Sequence, residues 1–83
     1  MSYFYCTNCG FIVKVPIREV NILLMSRIFT RLDRTLNCCK RPDYDWVRSY
    51  HELFRELERR GIRRSHRGIR ARSLDELMEI LLL

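Results

Sequence analysis

The stretch Tyr3-Phe4-Tyr5-Cys6-Thr7-Asn8-Cys9-Gly10-Phe11-Ile12-Val13 constrains this chain more than any other. It reads as two short apolar strands joined by a Cys-x-x-Cys-Gly turn. Two thiolates at this spacing can grip one metal ion from the same tight turn. Gly10 lets the chain reverse with positive φ just after the second thiol. A second pair, Cys38-Cys39, lies far downstream. If both pairs hold one ion, the hairpin is tied to the middle of the chain.

At 83 residues the expectation is one domain spanning 1–83. It divides into a hairpin (1–15), a helical core (16–60), and a basic segment with a C-terminal helix (61–83). A chain this short buries a modest core, and a structural metal is a common supplement. Its hydrophobic fraction, 47%, suits a folded domain rather than a disordered one. The longest apolar runs, Ile22 to Met25 and Ile80 to Leu83, are too short to cross a bilayer. The N-terminus lacks the charged head and apolar stretch of a signal peptide. The expected setting is therefore intracellular and cytoplasmic, where paired thiols favour metal over disulfide. Disulfides stay open as an alternative, since intracellular bridges occur in hyperthermophiles.

Along the chain, strands are expected at 3–5 and 11–14, with Pro16 suited to a first helical position. Val20, Leu24, Ile28 and Leu32 predict a helix over 17–36, with Leu23, Met25, Phe29 and Leu36 widening its apolar arc. Cys38-Cys39 and Pro42 then mark an irregular segment. A second helix is expected over 44–60, capped by Asp43 or Asp45 and ended by Gly61. Its apolar stripe is Trp46, Val47, Tyr50, Leu53, Phe54 and Leu57. Ile69 and Ala71 alternate with Arg70 and Arg72, which predicts a short half-buried strand over 69–72 with its arginines on the open side. Ser73 and Glu76 form a capping box for a last helix that buries Leu74, Leu77, Met78 and Leu81.

The net charge is +6, and 14 of the 16 basic residues are Arg. Arg makes planar, bidentate contacts with phosphate and stacks on bases, so this bias suits nucleic acid. Genome composition or heat adaptation gives the same bias without a ligand. The distribution says more. Arg63, Arg64, Arg67, Arg70 and Arg72 crowd together with His66 and no acidic residue, just after Arg59 and Arg60. These eight residues are the candidate nucleic-acid contacts. The flanking helices lie too far apart for a helix-turn-helix, so RNA or backbone-dominated DNA binding is expected. Tyr3, Tyr5 and Phe11 would stack on bases if exposed; otherwise they belong to the hairpin core.

Cys6, Cys9, Cys38 and Cys39 are the candidate ligands of a structural Zn2+, a tetrahedral site with no open position for catalysis. A variant uses one of Cys38 and Cys39 with His51 or Asp43 as fourth ligand. The Cys6-Thr7-Asn8-Cys9-Gly10 turn resembles the knuckle of zinc-ribbon and treble-clef proteins, over residues 1–15. The resemblance implies a structural zinc and often a nucleic-acid or protein-binding role, and no reaction. Those folds usually draw their second ligand pair from another Cys-x-x-Cys; here it is Cys38-Cys39, beyond a long helix.

The expected fold is a small α+β domain with a zinc-knuckle hairpin, two long helices, a short third strand and a C-terminal helix. The expected function is non-enzymatic, zinc-stabilised nucleic-acid binding, RNA ahead of DNA. The alternative is a zinc-stabilised protein-interaction module, an adaptor or inhibitor. No triad, carboxylate pair or phosphate-cradling Gly-rich loop is visible. The apolar end Ile80-Leu81-Leu82-Leu83 suggests a contact with a second copy or another protein.

Overall fold

The computed structural model describes residues 1–18, 21–65 and 67–82, the last by its backbone only. Expectations that rest on Glu19, Val20, His66, Leu83 and the Leu82 side chain lie outside the described residues. Within them the chain is a mixed α+β structure of four strands and three helices. The elements are β1 (Ser2–Cys6), β2 (Ile12–Val15), α1 (Ile22–Thr35), β3 (Tyr44–Val47), α2 (Tyr50–Arg60), β4 (Gly68–Arg70) and α3 (Leu74–Leu82).

The sheet order is β3-β1-β2-β4. β1 pairs antiparallel with β2 and β3, and β4 adds parallel to β2. Side chains alternate across the sheet, so register decides which residues share a face. Tyr3 lies opposite Lys14 and Val47, Tyr5 opposite Ile12 and Asp45, and Lys14 opposite Arg70. That face is covered by α2, whose Leu53 and Leu57 pack on Tyr3, Tyr5 and Val47. The other face carries Phe4, Cys6, Val13 and Val15. It packs against Ile28 and Leu32 of α1 and Leu77 and Leu81 of α3. Truncating one fully buried leucine such as Leu32 would cost about 2–5 kcal/mol.

Two expectations about helices need correction. The first helix starts at Ile22, where the Asn21 side chain accepts from the Leu24 N–H at 2.8 Å. Ile17 lies instead in irregular chain after β2, its N–H donating to the Val15 carbonyl and its own carbonyl held by the Ser2 hydroxyl. Leu23, placed on the apolar arc by sequence, is 79% exposed.

The second helix does not begin at 44, nor do Asp43 or Asp45 cap it. Residues 44–47 form β3, and Ser49 caps α2 by accepting from the Glu52 N–H at 3.2 Å. Tyr-Asp-Trp-Val is rich in aromatic and β-branched residues, and pairing with β1 overrides the helical spacing. The apolar stripe is thereby split: Val47 and Trp46 belong to the sheet, and Tyr50 and Phe54 are 44% and 42% exposed.

Other local signals act as expected. Gly61 ends α2 in the left-handed region, and Ser73 caps α3 while the Glu76 carboxylate accepts from the Arg72 N–H. Ile69 and Ala71 pack into the α1–α3 core, while Arg70 faces outward.

Gly10 and Gly61 both have positive φ, 80° and 67°. Around Gly61 an added Cβ meets nothing, whereas at Gly10 it would collide with the Arg63 carbonyl. Gly61→Ala is therefore expected to lose only the backbone term, about 1–2 kcal/mol. Gly10→Ala loses that and must also push the 63–65 segment away. Thermal melts of the two variants check this, and an equal loss of Tm would contradict it.

Candidate metal centre and basic groove

The first thiol pair is set by the hairpin turn. Cys6 closes β1, its N–H donating to the Phe11 carbonyl at 2.9 Å, while the Gly10 N–H donates to the Cys6 carbonyl at 2.9 Å. The second pair follows α1 in an irregular bend at 38–41. Three bonds fix this bend. The Tyr44 hydroxyl donates to the Leu36 carbonyl at 2.8 Å. The Thr7 N–H and Thr7 hydroxyl donate to the Asp43 carbonyl at 2.7 and 3.1 Å. Thr7 thus ties the knuckle to the loop that brings the second pair, through its backbone N–H and its hydroxyl, before any metal is considered.

The result is convergence: the Sγ atoms of Cys6, Cys9, Cys38 and Cys39 all lie within 4.8 Å of one another. Cys6 and Cys39 sulfurs are 3.8 Å apart, and those of the adjacent Cys38 and Cys39 are 4.0 Å apart. A tetrahedral ion with metal–sulfur bonds of about 2.3 Å sets its sulfurs about 3.8 Å apart. A disulfide needs about 2.05 Å, and all four cysteines are free. The donor set and its spacing fit a bound metal ion. His51 is exposed on α2, and the Asp43 carboxylate accepts from the Thr7 hydroxyl at 3.3 Å. Neither joins the cluster, so the variant with one of them as fourth ligand is not the arrangement found.

The surroundings favour thiolate unevenly. Burial pushes the Cys6 thiol up, but backbone hydrogen bonds from Asp43, Cys9 and Asn8 outweigh it and bring it to about 7. Burial pushes Cys38 up to about 12, with Cys9 and Cys6 adding to the rise. Burial also raises Cys9. Four sulfurs this close cannot all carry charge without a cation between them. A divalent ion supplies that charge, and a four-thiolate set selects soft or borderline metals. Around the sulfurs, the Asn8 amide donates to Cys39 Sγ at 3.3 Å, and the Tyr44 hydroxyl lies 3.2 Å from Cys38 Sγ. Such partners orient ligands and spread thiolate charge.

The structure divides the eight candidate nucleic-acid residues. Arg59 pairs with Glu56 at 2.6 Å, and Arg60 pairs with Asp45 at 2.9 Å and Glu56 at 3.4 Å. Arg59 holds the Glu56 carboxyl below its usual range, with Arg60 adding to the effect. Arg64 lies over the rings of Tyr50 and Phe54, 5.7 and 5.8 Å from their centroids, and donates to the Tyr50 hydroxyl at 2.8 Å. The side chains of Arg63, Arg67, Arg70 and Arg72 are exposed and make no ion pair among the described residues. His66 lies outside those residues.

α2 covers only the β3–β1 half of its face of the sheet. Beside it, the β2–β4 half forms the floor of an open groove of about 580 Å³. Lys14, Arg67 and Arg70 line it from the β2–β4 side, and Tyr50 with Arg64 line it from α2 and the segment after it. Sequence reasoning missed Lys14 and Tyr50. The alternation of Ile12 and Lys14 with buried Val13 and Val15 is the signal that could have found Lys14. Nothing in the sequence separated Tyr50 from the buried stripe of α2. Tyr3, Tyr5 and Phe11 are core residues, at most 6% exposed, and are not stacking groups.

The metal centre and the groove share a wall. The Ser65 N–H donates to the Gly10 carbonyl at 3.2 Å, and the Arg63 carbonyl passes over Gly10 where a side chain would stand. The knuckle therefore braces the arginine segment directly.

Comparison with protein-family models, curated proteins and solved structures finds no match.

The cluster predicts that Cys38→Ser and Cys39→Ser each weaken metal binding, because both sulfurs converge. Cobalt(II) titration of the metal-free protein checks it through thiolate-to-metal absorption. One serine variant with an unchanged spectrum would show that its cysteine is a bystander. Metal binding keeps the thiols deprotonated, so affinity is expected to fall as pH falls and protons compete.

Proposed function

We propose that this protein is a zinc-stabilised nucleic-acid-binding protein without enzymatic activity, with RNA favoured over DNA. The observation that carries the reading is the groove: Lys14, Arg67 and Arg70 gather in its lining with no acidic partner among the described residues, and Arg64 lines it with them. A cleft lined by one sign of charge concentrates its field, and phosphate is the anion that arginine forks bind best. Arg63 and Arg72 extend the unpaired charge beyond the groove. Arg59 and Arg60, tied to Glu56 and Asp45, contribute less.

Zinc is the metal of choice for four thiolates in a closed tetrahedral set, and such a set leaves no coordination position for substrate. Its role is structural: it holds the hairpin to the 36–43 loop and, through Gly10, steadies the segment that carries Arg63, Arg64 and Arg67. The knuckle resembles those of zinc-ribbon and treble-clef proteins. Among the described residues no helix is long and apolar enough to cross a membrane. An intracellular, cytoplasmic setting is part of the proposal, since reducing conditions keep the thiols available to metal.

RNA is preferred because the basic groove lies on a sheet with loops at its margin. The alternative, a protein-interaction module, draws on Ile22 and Leu23, 88% and 79% exposed at the start of α1, and on the paired arginines of α2. A partner could also lie at the end of α3, including a second copy of the chain. Leu77 and Leu81 are already buried within the chain, so such a contact would have to use residues beyond them.

Binding to RNA and to duplex DNA over a salt series tests the proposal. Replacing Arg63, Arg64 and Arg67 together by Ala is expected to lower affinity and flatten the dependence of log affinity on log salt. Each lost phosphate contact removes about 0.7 from the slope for a single strand. Tm is expected to change little, because these side chains are exposed. Unchanged affinity for both RNA and DNA would reject the site.

A further inference from the structure

The two walls of the groove differ in chemistry, and the difference points to a narrower ligand. One part of the lining is cationic: Lys14 and Arg70 project side by side from the β2–β4 register, and Arg67 immediately precedes β4. The other part of the lining is π-rich, with the Tyr50 ring half exposed. Tyr50 is 44% exposed and packs edge-on against Phe54 at 4.8 Å and tilted against Tyr3 at 5.9 Å. The Arg64 guanidinium caps this aromatic group and is held there by the Tyr50 hydroxyl. A polyanion alone would need only the first wall. A nucleobase needs a planar surface, and a guanidinium anchored on an aromatic ring provides one.

We propose that the groove is a subsite for single-stranded nucleic acid, with a base stacked on the Tyr50–Arg64 wall and the adjoining phosphates on Lys14, Arg67 and Arg70. The inference rests on the nucleic-acid reading above and deepens it. Paired bases in a duplex stack on one another and offer no free face to Tyr50. A duplex can touch only the cationic rim, so the two forms are distinguished. The volume, about 580 Å³, suits a short segment rather than a wrapped strand. Binding is sequence-tolerant, because every base has a π face and no built hydrogen-bonding pocket is needed.

Fluorescence anisotropy with labelled oligonucleotides tests the inference. The probes are single-stranded RNA, single-stranded DNA of the same sequence, the matching duplexes, and inorganic polyphosphate as competitor. Wild-type protein is expected to bind both single strands at least tenfold tighter than either duplex, with polyphosphate a weak competitor. The ratio between the RNA and DNA single strands shows whether the sugar contributes.

Tyr50→Ala is expected to weaken single-strand binding about tenfold with the salt slope unchanged, as loss of one stacked base implies. Tyr50→Phe, which keeps the ring, retains most of the affinity. If Tyr50→Ala melts too low to assay, Tyr50→Leu restores apolar cover without a stacking face and is expected to show the same loss. Lys14→Ala with Arg70→Ala is expected instead to flatten the salt slope. Duplex binding as tight as single-strand binding would overturn the inference, as would single-strand affinity untouched by loss of the ring. In either case, phosphate binding to the arginines leaves the broader nucleic-acid reading in place. Binding to none of the oligonucleotides would overturn both.

Discussion

Bringing four cysteine sulfurs within 4.8 Å of one another is the constraint on which the other features depend. Cys6 is buried in the core, and Cys38 is pushed up to about 12 chiefly by burial. As thiols the four fill space with weak hydrogen bonds; as thiolates they repel. A cation among them would offset that repulsion and make the thiolate arrangement favourable. That cation would link the end of β1 to the loop after α1, a closure that the Thr7 N–H bond to the Asp43 carbonyl and the pairing of Cys6 with Tyr44 already support. In a chain of 83 residues, where the core is small, such a closure would supply a large share of stability.

The same knuckle reaches outward. Its Gly10 accepts the Ser65 N–H and makes room for the Arg63 carbonyl, so the arginine segment rests on the turn that carries Cys6 and Cys9. The groove follows from an incomplete cover. α2 shields the β3–β1 half of the sheet and leaves the β2–β4 half open, with Lys14 and Arg70 in register across it. Cysteine knuckle and basic surface are consecutive layers of one construction, with Gly10 of the first packed directly against Arg63 and Ser65 of the second.

Much of this was legible in the residues. Cys-x-x-Cys-Gly announced the knuckle, Gly61 the end of α2, and Ser73 with Glu76 the start of α3, because each signal acts over a few bonds. The alternation of Ile69 and Ala71 with Arg70 correctly divided core from surface. What sequence could not reveal depended on partners distant in the chain. Tyr44 to Val47 fits a helical stripe and a strand equally well until β1 is there to pair with it. Tyr50 and Phe54 sit at apolar spacing on α2, and their exposure follows only from how far that helix extends over the sheet. Adjacent Cys38 and Cys39 converge because the bend after α1 turns both sulfurs inward, a geometry that no spacing rule records.

Thermal unfolding of the purified protein before and after metal removal, with metal content measured on the same samples, tests the central claim most directly. The account predicts one zinc per chain as isolated, a melt that collapses or shifts sharply downward on chelation, and recovery when zinc is returned. A metal-free protein with an unchanged cooperative melt, or one held by a disulfide such as Cys6 to Cys39, would contradict it.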